Sequence, residues 1–357
     1  MPAFHVRIGL AIASVGLLAC NGDGAELALQ ADVGQVDTLR TSLIVRLGAG
    51  AGDEGILART YSGFRRGDHI YVANGAPAEV RQYDTAGRLV ARIGRAGAGP
   101  GEFRHLTWVA ALPGDSLMVL DARLSRVSIF GPAGTYLDAV TLPTTEYGGA
   151  QWIGTYRGRV VVGMGVRGDP RAMDIGGIVR DSLRFAFFRF VRSGEQVPER
   201  TSPSVGGMWW QRQNSPGGVR VQALESGPRA LMALYDSTLL ALASDEVHLL
   251  RWNGGAWDTI AIHDRRTMRS DSLPPGVRPA RYAFMAAGRD AVWLGLSDVA
   301  VGRRAWSIHD FDGRVRAVLT LPGSFNVWQV GDGWVLGRRT DESGTEFVEL
   351  LRVEGGR

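Results

Sequence analysis

The chain has 357 residues, 45% of them hydrophobic and 21% charged, with a formal charge of +4; that is the composition of a globular protein with a sizeable core, long enough for one large all-β domain or two ordinary ones. Lysine is absent, which excludes Schiff-base chemistry and a P-loop. Arginines are scattered among Asp and Glu rather than gathered in a basic block, so no nucleic-acid partner is expected.

At the N-terminus, Arg7 precedes an uncharged run from Ile8 to Ala19, the basic-then-apolar order of a secretory signal. As a helix the run would rise only about 18 Å, too little for a hydrocarbon core of about 30 Å. It ends in Leu17-Leu18-Ala19-Cys20, which resembles the lipobox of bacterial lipoproteins. That resemblance implies cleavage of residues 1–19 and acylation of Cys20, by diacylglycerol and a further fatty chain such as palmitate. Cys20 is the only cysteine, so an intramolecular disulfide is excluded. Residues 20–38, polar and carrying Gly22, Gly24 and Gly34, are expected to tether the lipid to a folded body over 39–357.

Further along, the chain repeats. Gly52, Gly67-Asp68, Val72, Asn74, Val80, Tyr83 and Gly87 recur 47 residues later as Gly99, Gly114-Asp115, Val119, Asp121, Val127, Phe130 and Gly134. The second unit reads as four strands, 107–112, 116–120, 126–130 and 136–142, separated by Gly- and Pro-containing turns. Four short strands in about 45 residues is the propeller pattern. An apolar or aromatic residue four positions before a turn glycine marks the third strand. It continues as Phe190 with Gly194, His309 with Gly313 and Leu351 with Gly355, while Trp252 has Gly255 one position short.

Six units result, the middle ones enlarged at 163–181 and 201–228. The last has only three strands, 325–330, 334–339 and 346–353. A segment at 41–47, in which Leu43-Ile44-Val45-Arg46-Leu47-Gly48 matches Leu89-Val90-Ala91-Arg92-Ile93-Gly94, is expected to supply the missing outer strand and close the ring. The predicted fold is all-β, a six-bladed β-propeller with four-stranded blades.

The segment Gly97-Ala98-Gly99-Pro100-Gly101-Glu102-Phe103, with Val119-Leu120-Asp121, Arg126-Val127 and Phe130-Gly131-Pro132-Ala133-Gly134 after it, resembles the NHL-type repeat. The match is strong in this unit, fair over 52–94 and topological from Gly149 onward. It departs at Leu106 and Trp108, where that repeat has proline and Asp or Gly. The resemblance implies likeness to the six-bladed lipoproteins of bacteria, and fold alone does not supply an activity.

A peptidyl lyase resembling NHL propellers would need a histidine-held metal near the channel, and a lactonase-like propeller a calcium site there. Of His69, His105, His248, His263 and His309 no two lie at close ligand spacing, and only His105 is placed to face the channel mouth. Asp121 and Arg126 flank a short connection and are expected to pair across it. Turn alignment puts Tyr61, Trp108, Trp152, Arg229, Tyr282 and Phe325 near the starts of successive inner strands, with Arg104 and Arg281 beside them. Such aromatics and guanidiniums stack on sugars or peptide side chains and recognise carboxylate or phosphate; the alternative role of the rings is packing between blades. Trp209-Trp210 lie in an enlarged segment and cannot share one strand face.

The sequence thus leads to a membrane-anchored, monomeric envelope propeller that binds an envelope protein, peptide or glycan without intrinsic catalysis or cofactor. It would stand in the periplasm, at the outer membrane or on the cell surface. The alternative is a metal-dependent channel-site enzyme, lactonase-like or peptidyl-lyase-like.

Overall fold

The computed structural model describes residues 36–48, 55–142, 150–157, 159–166, 177–188, 200–215, 218–224, 227–264, 266, 268, 273–300 and 302–355. Among them there are strands and turns but no helix. Cys20, Phe190 and Gly194 lie outside the described residues.

Consecutive strands pair antiparallel in short groups. The first is Thr60–Arg66, His69–Gly75, Ala78–Asp84 and Leu89–Ile93. The second is Leu106–Ala111, Leu117–Asp121, Arg126–Phe130 and Tyr136–Thr141, within a residue of the sequence expectation throughout. A third, larger group comprises Ala150–Tyr156, Arg159–Val166, Ile178–Phe188, Val205–Ser215 and Gly218–Ala223. The fourth is Ala230–Tyr235, Thr238–Ala243, His248–Trp252 and Trp257–Ala261. The fifth is Tyr282–Ala287, Val292–Ala300, Arg303–His309 and Val315–Pro322. Phe325–Gly331, Trp334–Thr340 and Glu346–Gly355 end the chain. The first strand of each group touches that of the next, and the last touches the first, so these inner strands close a ring. The fold is an all-β propeller.

Closure uses the N-terminal strand. Asp37–Leu47 runs antiparallel to Glu346–Gly355 and completes the last group. It begins before the expected 41 because Asp37 to Leu39 also pair, in parallel, with Ala317 to Leu319 of the fifth group. That second pairing joins the last two groups into one eight-stranded sheet.

The core is divided into seams between neighbouring blades. In the second blade Leu117 and Val119 pack toward the first blade, while Met118 and Leu120 pack toward the third. Middle strands therefore bury both faces, and their sequences read as unbroken apolar runs rather than alternations.

The repeated turn glycine has a specific cause. Gly87, Gly134 and Gly313 have φ of +86°, +74° and +84°, where a side chain is strained. A Cβ at Gly134 would press on Ile93, one at Gly87 on Val45, and one at Gly313 on the Ala261 carbonyl oxygen at 1.9 Å. Each contact falls on the outer strand of the preceding blade, so the glycine marks where one blade's turn leans on its neighbour. Gly355 does not share this role, because it lies within a strand opposite Leu39.

The expected ion pair between Asp121 and Arg126 is not formed. Asp121 is fully buried and accepts from the backbone N–H groups of Arg104, His105, Arg123 and Leu124. Arg126 donates instead to the carbonyls of Ala98, Gly99 and Glu102, fixing the glycine-rich loop. Loop carbonyls and amides outcompete a direct pair because each needs a partner once buried. The segment 201–228 likewise is no open loop: most of it forms a hairpin, with Ser215 opposite Gly218.

Candidate functional site

The ring encloses an axial cavity of about 450 Å³ whose wall takes residues from the inner strand of every blade. It is reached by the second halves of these strands, from Gly63 to Arg66, Trp108 to Ala111, Met232 to Tyr235 and Met285 to Ala287, for example. The inner strands therefore run the same way along the axis, and the residues at their starts lie toward the opposite mouth, here termed the upper mouth. The wall is mixed: Phe64, Trp108, Met232, Met285 and Trp328 supply apolar surface, and Arg65, Arg66, Thr155, Asp236 and Gln329 supply polar groups. Arg65 and Arg66 are tied back: one donates to Gly67 O, the other to Leu112 O and Ser116 O. Gln329 Oε1 accepts from the Arg65 amide at 2.6 Å.

At the upper mouth the expected residues divide. Tyr61 is 37% exposed, and its hydroxyl lies 3.3 Å from His105 Nε2 with the rings edge to face. Arg104 and His105 are exposed side chains on a backbone pinned by Asp121. Arg229 is also exposed, its amide held by Ser244 Oγ at 2.9 Å. Trp108 is half-buried and reaches the seams on both sides of the third blade as well as the cavity. Trp152 lies in the inner strand of the third blade.

Tyr282 and Phe325, by contrast, are buried at 1% and 0% exposure; their rings pack between blades and are not presented at the mouth. For Tyr282 the reason is a recurring β-bulge. Pairing shifts between Thr60 and Ser62, Leu106 and Trp108, Ala150 and Trp152, and Tyr282 and Phe284. Tyr61 is the bulged residue of its strand, Trp108 and Trp152 follow the bulge, and Tyr282 precedes it. One residue of offset reverses the face.

Tyr282 is nonetheless chemically engaged. Its hydroxyl donates to Asp264 Oδ2 at 2.7 Å, and burial, followed by the Asp264 charge, raises its pKa far above the ordinary tyrosine value. Asp264 is almost fully enclosed, with Arg266 at 2.7 Å and Arg281 at 3.6 Å. Burial alone would raise its pKa, but the hydrogen bond and charge of Arg266 with the Tyr282 hydroxyl hold it below the ordinary carboxylate value. Beside it, Asp245 binds Arg180 at 2.6 Å and Arg278 at 3.6 Å. Asp245, Asp264, Arg266, Arg278 and Arg281 line a charged cavity of about 340 Å³. Arg180, Asp245 and Arg278 carried no local sequence signal, because they meet only when distant segments are brought together, and the Asp264–Arg266 pair sits two residues apart in a link between blades that has no repeat pattern.

Trp209 and Trp210 are both half-buried on one strand. Arg180 lies over the Trp209 ring at 5.7 Å, and Trp210 Nε1 donates to Asp181 Oδ2 at 2.8 Å. His309 is 1% exposed and occupies the aromatic slot of its blade. Among the described residues no three His, Cys, Asp or Glu side chains are placed to hold a metal ion.

No protein-family profile matches this sequence, and no curated protein does. Solved structures are similar across most of the chain. A member of the duf4221 family from Bacteroides vulgatus superimposes with a TM-score of 0.57 at 10% identity, covering 90% of this chain and 100% of that one. A protein of Bacteroides fragilis named as exported gives 0.55 at 10% identity, over 91% and 98%. Virginiamycin B lyase of Staphylococcus aureus gives 0.45 at 10%, over 87% and 99%, and decides nothing about activity.

Proposed function

We propose that this protein is a lipid-anchored binding module of the bacterial envelope, with the axial cavity as its ligand site. The observation that carries the reading is the cavity itself. It has the volume of a small-molecule site, and its wall combines large apolar side chains with polar groups in fixed positions, which is how such sites gain affinity and orientation. Met232 and Met285 give the wall adaptable surface. A neutral apolar probe, N-phenyl-1-naphthylamine, is expected to bind one to one with saturable fluorescence. Trp108→Ala should weaken it roughly tenfold, the effect of removing a buried aromatic anchor, and Ala110→Phe, which fills the channel, should abolish it. Stoichiometric binding that both variants retain would remove the cavity from consideration.

Export and anchoring rest on the Arg7 to Cys20 pattern and on likeness to an exported Bacteroides protein. Residues 21–36 span at most about 55 Å when extended, so the propeller would stand close to its membrane. Two or more acyl chains on Cys20 would suffice for stable anchoring. Expressed in a bacterium that processes lipoproteins, the protein is expected to fractionate with membranes and incorporate labelled palmitate, and Cys20→Ser to do neither. An unmodified N-terminus in the wild-type protein would end this part of the proposal.

A further inference from the structure

Among the described residues six large hydrophobic side chains are exposed, and four of them lie on three outer strands: Leu43 and Ile44 in the last blade, Val90 in the first and Leu137 in the second. These blades are consecutive around the ring. The turn of the first leans on Val45 and the turn of the second on Ile93, so the three outer strands are neighbours.

Ile44, Val90 and Leu137 hold one backbone position. Each is the extra residue of a bulge in its outer strand: Leu43 and Val45 pair with Leu351 and Leu350, Leu89 and Ala91 with Tyr83 and Gln82, and Tyr136 and Asp138 with Phe130 and Ile129. The bulge turns the residue between out to solvent, at 41%, 52% and 58% exposure. In the fifth blade the same position holds Arg316, paired with Asp290. The fourth blade has no such bulge, and Asp258 follows Trp257 in register. Single exposed hydrophobics are ordinary; a series on one side of the molecule is not.

Bulged edges take up a further strand poorly, because the ladder is broken there, so strand addition by a second chain is disfavoured. The chain itself points to another occupant. Inner strands start at the upper mouth and successive strands alternate in direction, so outer strands start at the lower side of the ring, with the bulge one residue in. Asp37 opens the N-terminal strand opposite Ala317, the residue after Arg316. The tether therefore joins the body at the height of the bulges, on the strand that carries Leu43 and Ile44.

We propose that Ile44, Val90 and Leu137, with Leu43, form a membrane-contact edge that sinks into the interface of the bilayer holding the acyl chains of Cys20. This rests on the anchored reading above and adds an orientation to it: the lower mouth faces the bilayer and the upper mouth points away. Apolar side chains in the acyl boundary leave water without needing a protein partner. The short tether keeps the edge at high effective concentration against its own membrane.

Acylation consumes the thiol of Cys20, the only cysteine, so an introduced cysteine is the one reactive site. Ile44→Cys, Val90→Cys, Leu137→Cys and, on the far side of the ring, Asp258→Cys are labelled with the environment-sensitive fluorophore nitrobenzoxadiazole and reconstituted as full acylated proteins in phosphatidylcholine vesicles. The labels at 44, 90 and 137 should shift to shorter wavelength and be quenched by doxyl-phosphatidylcholine; the label at 258 should do neither. Cosedimentation with vesicles is measured on the same samples. Protein that sediments while all four labels stay equally aqueous overturns the proposal and leaves anchoring intact, whereas protein that does not sediment removes the anchor and the proposal with it. A shift that appears without vesicles as protein concentration rises assigns the edge to a second copy and also overturns the proposal.

Discussion

Asp121→Ala is expected to destabilise the propeller by about 4 kcal/mol, because it strands four backbone donors at once. Asp121 Oδ2 accepts from the Arg104 amide at 2.6 Å and the His105 amide at 3.2 Å, and Oδ1 accepts from Arg123 and Leu124, both at 2.9 Å. The carboxylate thus ties the segment leading into the inner strand to the turn leading out of the second strand. No water can replace it without opening a site of 0% exposure. Asp121→Asn keeps one acceptor oxygen but turns an NH2 group toward two donors, so its loss should be roughly half as large. Denaturant midpoints measure both. Hydrogen exchange at Arg104, His105, Arg123 and Leu124 should rise selectively in Asp121→Asn; unfolding of Asp121→Ala at the wild-type midpoint would contradict this account.

The same position explains why the repeat could be seen in the sequence at all. Asn74, equivalent to Asp121, accepts from the Ala58 amide at 2.9 Å and donates to Pro77 O at 2.8 Å, and Ser244 does the corresponding job for Arg229. Asn, Asp and Ser all bind backbone, so the chemistry is kept while the residue type drifts. That drift hides the pattern beyond the second blade. The turn glycines survive better because φ and the neighbouring outer strand leave no room for a side chain. The third blade was least legible: its strands outgrow the repeat length, and residues 201–228, polar and glycine-containing, look like a loop although most of them pair. The parallel contact of Asp37 with Ala317 had no signal, since it depends on two blades meeting at the closure.

For the site, sequence reasoning located the right heights but not the right faces. Tyr61, Arg104, His105 and Arg229 do stand exposed at strand starts, whereas Tyr282 and Phe325 turn inward. A bulge is a backbone event with no required residue type: Tyr61 and Ala283 occupy the same bulged position in two blades. Counting from turns cannot resolve it.

His309 gives the second large effect, in the pH dependence of stability. Its ring is enclosed where other blades carry Tyr83, Phe130 or Trp252, and burial lowers its pKa from 6.5 to about 4. The neutral ring suits its partners: Nδ1 donates to the Gly313 carbonyl at 3.2 Å, leaving Nε2 to accept from the Ser307 hydroxyl at 2.9 Å. Because the unfolded chain takes up the proton near pH 6.5 and the folded one only near pH 4, the unfolded state binds more protons between these values. Stability is therefore complete above pH 6.5 and falls as the pH is lowered through this window, by about 3 kcal/mol at pH 4. The carboxylates whose pKa is depressed, Asp264 and Asp310 among them, lose their contribution only below about pH 4, as they protonate. The two windows hardly overlap. His309→Phe, which restores the aromatic occupant of the slot, should flatten the stability profile between pH 6.5 and 4 while leaving the steeper loss below it. Denaturant titrations of both proteins at half-unit pH steps decide the matter; parallel profiles across that window would show that the ring is charged, or reached by water, in the folded protein.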